Sequence, residues 1–273
     1  MSTKHRFLQD YASWVTAQPF ARGGLADPSA GIIEHTLGAV ERAIATGHGV
    51  VLEAQLTFDN DAVVFGEATL DRLTGLQGEV RQYSSAQLQA QKMRGSEETV
   101  PSLSSLLLEI GGRTPVLIDA RRPPKDPLPL CFAIRRAMEG YGGPIGIIAL
   151  DPRILRWFQK NSRRVARGFV ATSDTQGLPW WARNRLWRLW AAWRAKPDFL
   201  AMDITLLPSP VADQMGQRLK VPMLAWTVRS EADRAAARQH ADNYIYAAQT
   251  AHQPEAPVAP PAPAESPRTL ATA

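Results

Sequence analysis

The chain has one cysteine, Cys131, in 273 residues. That excludes an internal disulfide and any metal site built from several thiolates, and it suits a reducing compartment. Long apolar runs are missing too. Nothing approaches the roughly 18 to 20 consecutive apolar residues that cross a bilayer, and the first twenty residues carry Asp10 and no apolar core. Neither a signal peptide nor a membrane span is expected, and a cytoplasmic location is. No Gly-x-Gly-x-x-Gly and no Gly-x-x-x-x-Gly-Lys-Ser/Thr pattern follows a strand-like run, which argues against dinucleotide-binding and P-loop enzymes. What is present is a globular composition, 45% apolar and 21% charged. Its length suits one closed (β/α)8 barrel, which takes about 250 residues.

Charge and proline are unevenly spread. Residues 152–196 hold eleven Lys or Arg against Asp174 alone, whereas the whole chain is only +5, so the remainder is acidic. Such a basic block suits a solvated set of helix faces or a contact with anionic lipid or phosphate. Residues 251–273 contain six of the 21 prolines and few large apolar side chains. Proline lacks an amide donor and this segment has little to bury, so an extended tail is expected. The expected organisation is an N-terminal helical segment over 1–16, a barrel over 17–248 and a disordered Pro/Ala-rich tail over 249–273.

Apolar and β-branched runs recur at 50–56, 62–65, 116–120, 145–150, 168–172, 199–203, 223–228 and 243–246. Stretches with apolar spacing of three and four lie between them, at 36–46, 102–110, 128–139, 153–161, 183–195, 209–219 and 230–240. This alternation predicts a parallel sheet. With 19–22 as a first strand and 62–65 as a hairpin extension of the strand before it, eight repeats result. The expected fold is therefore an α/β single-domain TIM barrel.

Particular residues carry a resemblance. Glu34-His35-Thr36, then Glu53-Ala54-Gln55-Leu56-Thr57, then Phe65-Gly66-Glu67-Ala68-Thr69-Leu70-Asp71-Arg72-Leu73-Thr74-Gly75 follow in order and spacing. Together with Val116 to Arg121 and Ala225-Trp226-Thr227-Val228, they resemble the glycerophosphodiester phosphodiesterase family. The resemblance implies a (β/α)8 barrel with its site at the strand ends, hydrolysing glycerophosphodiesters to glycerol 3-phosphate and an alcohol. It also implies a pair of acid–base histidines and a divalent metal on three carboxylates. Here the sequence departs. The first histidine's place is taken by Ala21 or Arg22, depending on a one-residue register, and the second by Gly66. Neither side chain at the first place shuttles a proton near neutral pH, and glycine has none.

The expected metal ligands have changed as well. The family's Glu-x-Asp reads Val51-Leu52-Glu53, and its later Glu is Asp119. Glu53, Asp119, Glu34 and Glu67 are the candidate ligands, and the expected cofactor is Ca²⁺ or Mg²⁺, bound weakly or not at all, because hard cations require closely spaced oxygens. No catalytic residue is assigned. His35 replaces the family's Asn at the start of a helix, where capping or surface packing is expected, with a reach to the barrel mouth as the alternative. Arg22 and Arg121 are candidate phosphate contacts. Trp226 resembles the aromatic floor of the family's pocket.

Five of the eight tryptophans lie between Pro179 and Arg194. Trp and Arg together suit either an outer barrel helix or the headgroup layer of a bilayer, and no base-reading motif points to nucleic acid. The expected protein is a phosphoric diester hydrolase by resemblance, impaired in hydrolysis, that binds a glycerophosphodiester or phospholipid headgroup. Peripheral membrane contact from Trp180 to Arg194, at the inner membrane surface, accompanies that expectation. The alternative is an active metal-dependent phosphodiesterase with His35 as proton donor.

Overall fold

A computed structural model describes residues 12–120, 125–172, 194–208 and 220–247. Among the described residues, nine strands form one sheet: β1 (Phe20–Arg22), β2 (Gly49–Leu56), β3 (Ala62–Val64), β4 (Val116–Asp119), β5 (Ile145–Ala149), β6 (Ala166–Ala171), β7 (Phe199–Asp203), β8 (Met223–Val228) and β9 (Asn243–Ala247). All neighbours except β2 and β3 run parallel. Because β1 pairs with both β2 and β9, the sheet closes on itself as an eight-stranded parallel barrel. β3 is antiparallel to β2, with Ala54 opposite Val64, so the run at 62–65 is the hairpin extension that its sequence predicts.

The helices start and stop where local chemistry directs. Ser102 accepts the amide of Ser105 at 3.1 Å to open Leu103–Ile110, and Gly111 closes it at φ 56°. Asp151 caps Pro152–Asn161, whose first residue is proline. Ser230 and Asp233 form a reciprocal capping box at Glu231–His240. The short helix Ser85–Gln89 was not foreseen; five residues give too little periodicity to read. The helices expected over 183–195 and 209–219 lie outside the described residues, except for Arg194 and Ala195, which are helical. The expected segment over 1–16 is described only from residue 12, and Ser13–Thr16 forms a 3-10 turn.

Alternate residues of the strands serve two cores, as a period of two requires. One set, including Phe20, Val51, Leu117, Ile148, Val170, Leu224 and Ile245, packs inside the barrel. The other, including Ala21, Val50, Leu52, Ile118, Ile147 and Met202, packs against helix residues such as Leu106, Ile134 and Leu155. Cys131 belongs to the outer core, where burial pushes its thiol up to about 12, so it stays protonated and inert. Among the described residues, no helix is long and apolar enough to cross a membrane.

Candidate functional site at the barrel mouth

The strand periodicity that fills the barrel also selects what reaches its C-terminal end. Ala21 belongs to the outer core and Arg22, one residue on, to the inner set, which settles which of the two faces the mouth. Arg22 Nε donates to Glu53 Oε1 at 2.6 Å, and its Nη2 makes an ion pair with the same oxygen. The Glu53 side chain is 4% exposed and that of Arg22 21%. Burial works against the Arg22 charge, yet Glu53, with Asp119 and Glu34 beyond it, outweighs that effect and raises the guanidinium above its ordinary value. Asp119 is the register partner of Glu53 on the neighbouring strand, so the two carboxylates stand side by side.

After β1 the chain turns sharply through Gly23 and Gly24, at φ 70° and 79°. A Cβ on Gly24 would lie 2.5 Å from the carbonyl of Ala39, so only glycine lets this turn approach the helix Leu37–Ala45. The His35 amide donates to Gly23 O at 2.7 Å, tying the two loops together. The helix start is held from outside. Glu98 accepts Gly38 N at 2.7 Å and Thr36 Oγ1 at 2.5 Å, a carboxylate placed where the helix dipole favours it.

This brace holds His35 at φ 67°, a left-handed conformation tolerated by histidine and asparagine. Its imidazole is 2% exposed and lies between Gly23 and Gly66. A Cβ on Gly66 would come within 2.6 Å of His35 Nε2 and 3.6 Å of Glu53 Oε2. His35 therefore neither caps the helix nor packs on the surface, correcting that expectation. Its ring fills the space that a side chain at position 66 would use. Burial holds its pKa below the ordinary imidazole value, helped by Arg22 and opposed by Glu53 and Glu34, and Nδ1 has no hydrogen-bond partner. The other described imidazole at a strand, His48, sits at the opposite end of the barrel on the Tyr246 hydroxyl at 2.6 Å.

The remaining candidates fall into place individually. Glu67 and Glu34 are joined through Arg72, which donates to Glu67 at 2.5 Å and to Glu34 at 3.3 Å. The loop carrying Glu67 is clamped by Gln55, whose amide donates to the carbonyls of Phe65 and Glu67, each at 2.7 Å. Trp226 is 4% exposed and packs within the inner core, with Asp203 as its register partner. Arg121 lies outside the described residues, as does the segment from Trp180 to Arg194 apart from Arg194 itself.

Sequence reading missed Asp203 and Thr172, where Thr172 Oγ1 donates to Asp203 Oδ2 at 2.8 Å across two strand ends. The signal was there: an Asp closing the apolar run Phe-Leu-Ala-Met belongs at the mouth once the fold is a barrel. Among the described residues, no three His, Cys, Asp or Glu side chains converge so as to hold a metal ion. At the mouth Arg22 pairs with the buried Glu53, and the exposed Arg72 pairs with Glu67 and Glu34.

The model of the glycerophosphoryl diester phosphodiesterase family matches residues 22–246, nearly the whole barrel. The chain belongs to that family. Solved structures share the fold at low identity. An Oleispira antarctica phosphodiesterase in complex with the product sn-glycerol-3-phosphate is 16% identical, with a TM-score of 0.69 over 85% of this chain and 93% of its own. A putative glycerophosphoryl diester phosphodiesterase from Silicibacter pomeroyi is 17% identical, with a TM-score of 0.68 over 84% and 89%. The glycerophosphodiester phosphodiesterase of Thermotoga maritima is 18% identical, with a TM-score of 0.65 over 84% and 93%. No curated protein matches the chain significantly.

Proposed function

We propose that this glycerophosphodiester phosphodiesterase-like protein has lost hydrolysis and binds a phosphodiester or phospholipid headgroup at the barrel mouth. One observation carries the reading: of Ala21 and Arg22, the residues at the first acid–base place, the inward one, Arg22, is committed to Glu53, while Gly66, at the second place, has no side chain and has His35 packed against it. A guanidinium cannot take a proton from an attacking water, and a neutral buried imidazole without an orienting partner lacks the second half of an acid–base pair. Arg22 and Arg121 are the proposed phosphate contacts, and Trp226 the proposed aromatic floor. The glycerol 3-phosphate in the Oleispira structure supports a glycerophosphoryl group as ligand. Peripheral contact with the inner membrane surface from Trp180 to Arg194, and a cytoplasmic setting in lipid metabolism, complete the proposal.

Calorimetry with sn-glycerol 3-phosphate and glycerophosphocholine tests the binding. The expected result is saturable binding that Arg22→Ala and Arg121→Ala each weaken roughly tenfold, the worth of about 1.4 kcal/mol, consistent with a charge-assisted hydrogen bond. No binding of either ligand to the folded wild type would overturn the headgroup reading.

A further inference from the structure

The family resemblance calls for a divalent metal, and the residues at the mouth do not fit one. Ca²⁺ takes 6 to 8 oxygen ligands and Mg²⁺ a near-ideal octahedron, and both need carboxylate oxygens free of other cations. Glu53, an almost fully buried carboxylate of the candidate set, gives Oε1 to two donors of Arg22. Glu34 and Glu67 are engaged by Arg72. Val51 supplies no oxygen, and its side chain is buried in the inner core. A divalent ion entering here would have to break a charge-assisted pair at an almost fully buried carboxylate and then sit beside the displaced guanidinium.

We propose that the Arg22 guanidinium is the resident cation of the barrel mouth, occupying the place among Glu53, Asp119 and Glu34 that a divalent metal would need. Three features support the assignment. Arg22 ends β1 and points inward, so strand geometry rather than a flexible loop delivers its charge. Glu53 and Asp119 are register partners, so the cation faces two adjacent carboxylates. The chain also pairs this arginine with a methylene-longer carboxylate, and Glu53 reaches the guanidinium at hydrogen-bond distance. Ion exchange at the mouth is replaced by a covalently tethered, permanently charged group. The inference rests on Arg22 and the carboxylates around it and stands whether or not a headgroup binds.

The test uses the full chain and the metals by themselves. Thermal melts and calorimetry in millimolar CaCl₂, MgCl₂ or MnCl₂, each against EDTA, should leave the wild type unchanged. Arg22→Met keeps the length and removes the charge. Its carboxylates should then accept a divalent ion, giving an EDTA-reversible rise of several degrees in Tm that Glu53→Gln in the same background abolishes. Arg22→Lys should stay metal-silent, since a cation remains. Should Arg22→Met be unfolded in EDTA, folding on addition of the divalent ion supports the assignment and failure to fold with it contradicts it. Saturable binding of any of the three ions by the wild type, lost in Glu53→Gln, would overturn the proposal, as would a folded Arg22→Met that ignores all three.

Discussion

Gly66 and His35 act as one unit. With His35 Nε2 at 2.6 Å from the position of a Cβ on residue 66, Gly66→His should overpack the mouth and cost about 1–3 kcal/mol, read by urea unfolding. His35→Asn empties that space and keeps a residue at ease with φ near 67°. The double variant should recover most of the lost stability, a coupling that a double-mutant cycle measures; additive effects would refute it. Rebuilding the family's pattern through Arg22→His, Gly66→His and Val51→Glu therefore requires His35→Asn as well. His35 also sets a pH dependence. A buried neutral imidazole whose pKa is lowered contributes stability that is present above about pH 6.5 and is lost as pH falls below it, because the unfolded chain takes up the proton first. Unfolding midpoints should fall as the pH drops below about 6.5, and less so in His35→Asn, with His48 contributing the same sign. Equal slopes for wild type and variant would show that His35 is solvated.

At the scale of elements, the loop after β1 and the helix Leu37–Ala45 position both Arg22 and His35, and Glu98 fixes that helix start from 60 residues away. Glu98→Ala removes the acceptor for Gly38 N and Thr36 Oγ1 and should cost about 0.5–2 kcal/mol, the range for losing a helix cap. Glu98→Gln, which keeps one acceptor, should cost less; equal losses would mean that the contact is not a cap. Such a brace is not legible in sequence, because no local spacing links residue 98 to residue 38. The strands were legible: recurring apolar and β-branched runs placed β7 and β8 at their observed bounds and the others within two residues. The mouth was only partly so. Glu53 and Asp119 could be read from their strands, but the inward direction of Arg22 needed the one-residue register of β1, and the pairing of His35 with Gly66 needed the tertiary contact.

The whole molecule is a closed barrel whose interior is filled by its own side chains, leaving chemistry to the mouth and any association to the outer face. Along the chain, the basic block of 152–196 is set against an acidic remainder. If the segment from Trp180 to Arg194 meets a membrane, liposomes containing anionic lipid should retain the protein, and raised salt should release it by screening the arginines. Trp187→Ala with Trp190→Ala should then reduce retention without shifting Tm. A large loss of Tm and no retention by wild type would instead make this segment part of the barrel's packing.

If the barrel mouth lacks an acid–base pair and holds Arg22 in the metal's place, it cannot hydrolyse a phosphodiester. Release of glycerol 3-phosphate from glycerophosphocholine and glycerophosphoethanolamine, measured on the folded wild-type chain in EDTA and in Ca²⁺, Mg²⁺ or Mn²⁺, tests it directly. The expected result is no release above the uncatalysed rate under any of these conditions. Metal-dependent turnover abolished by Glu53→Ala would contradict it.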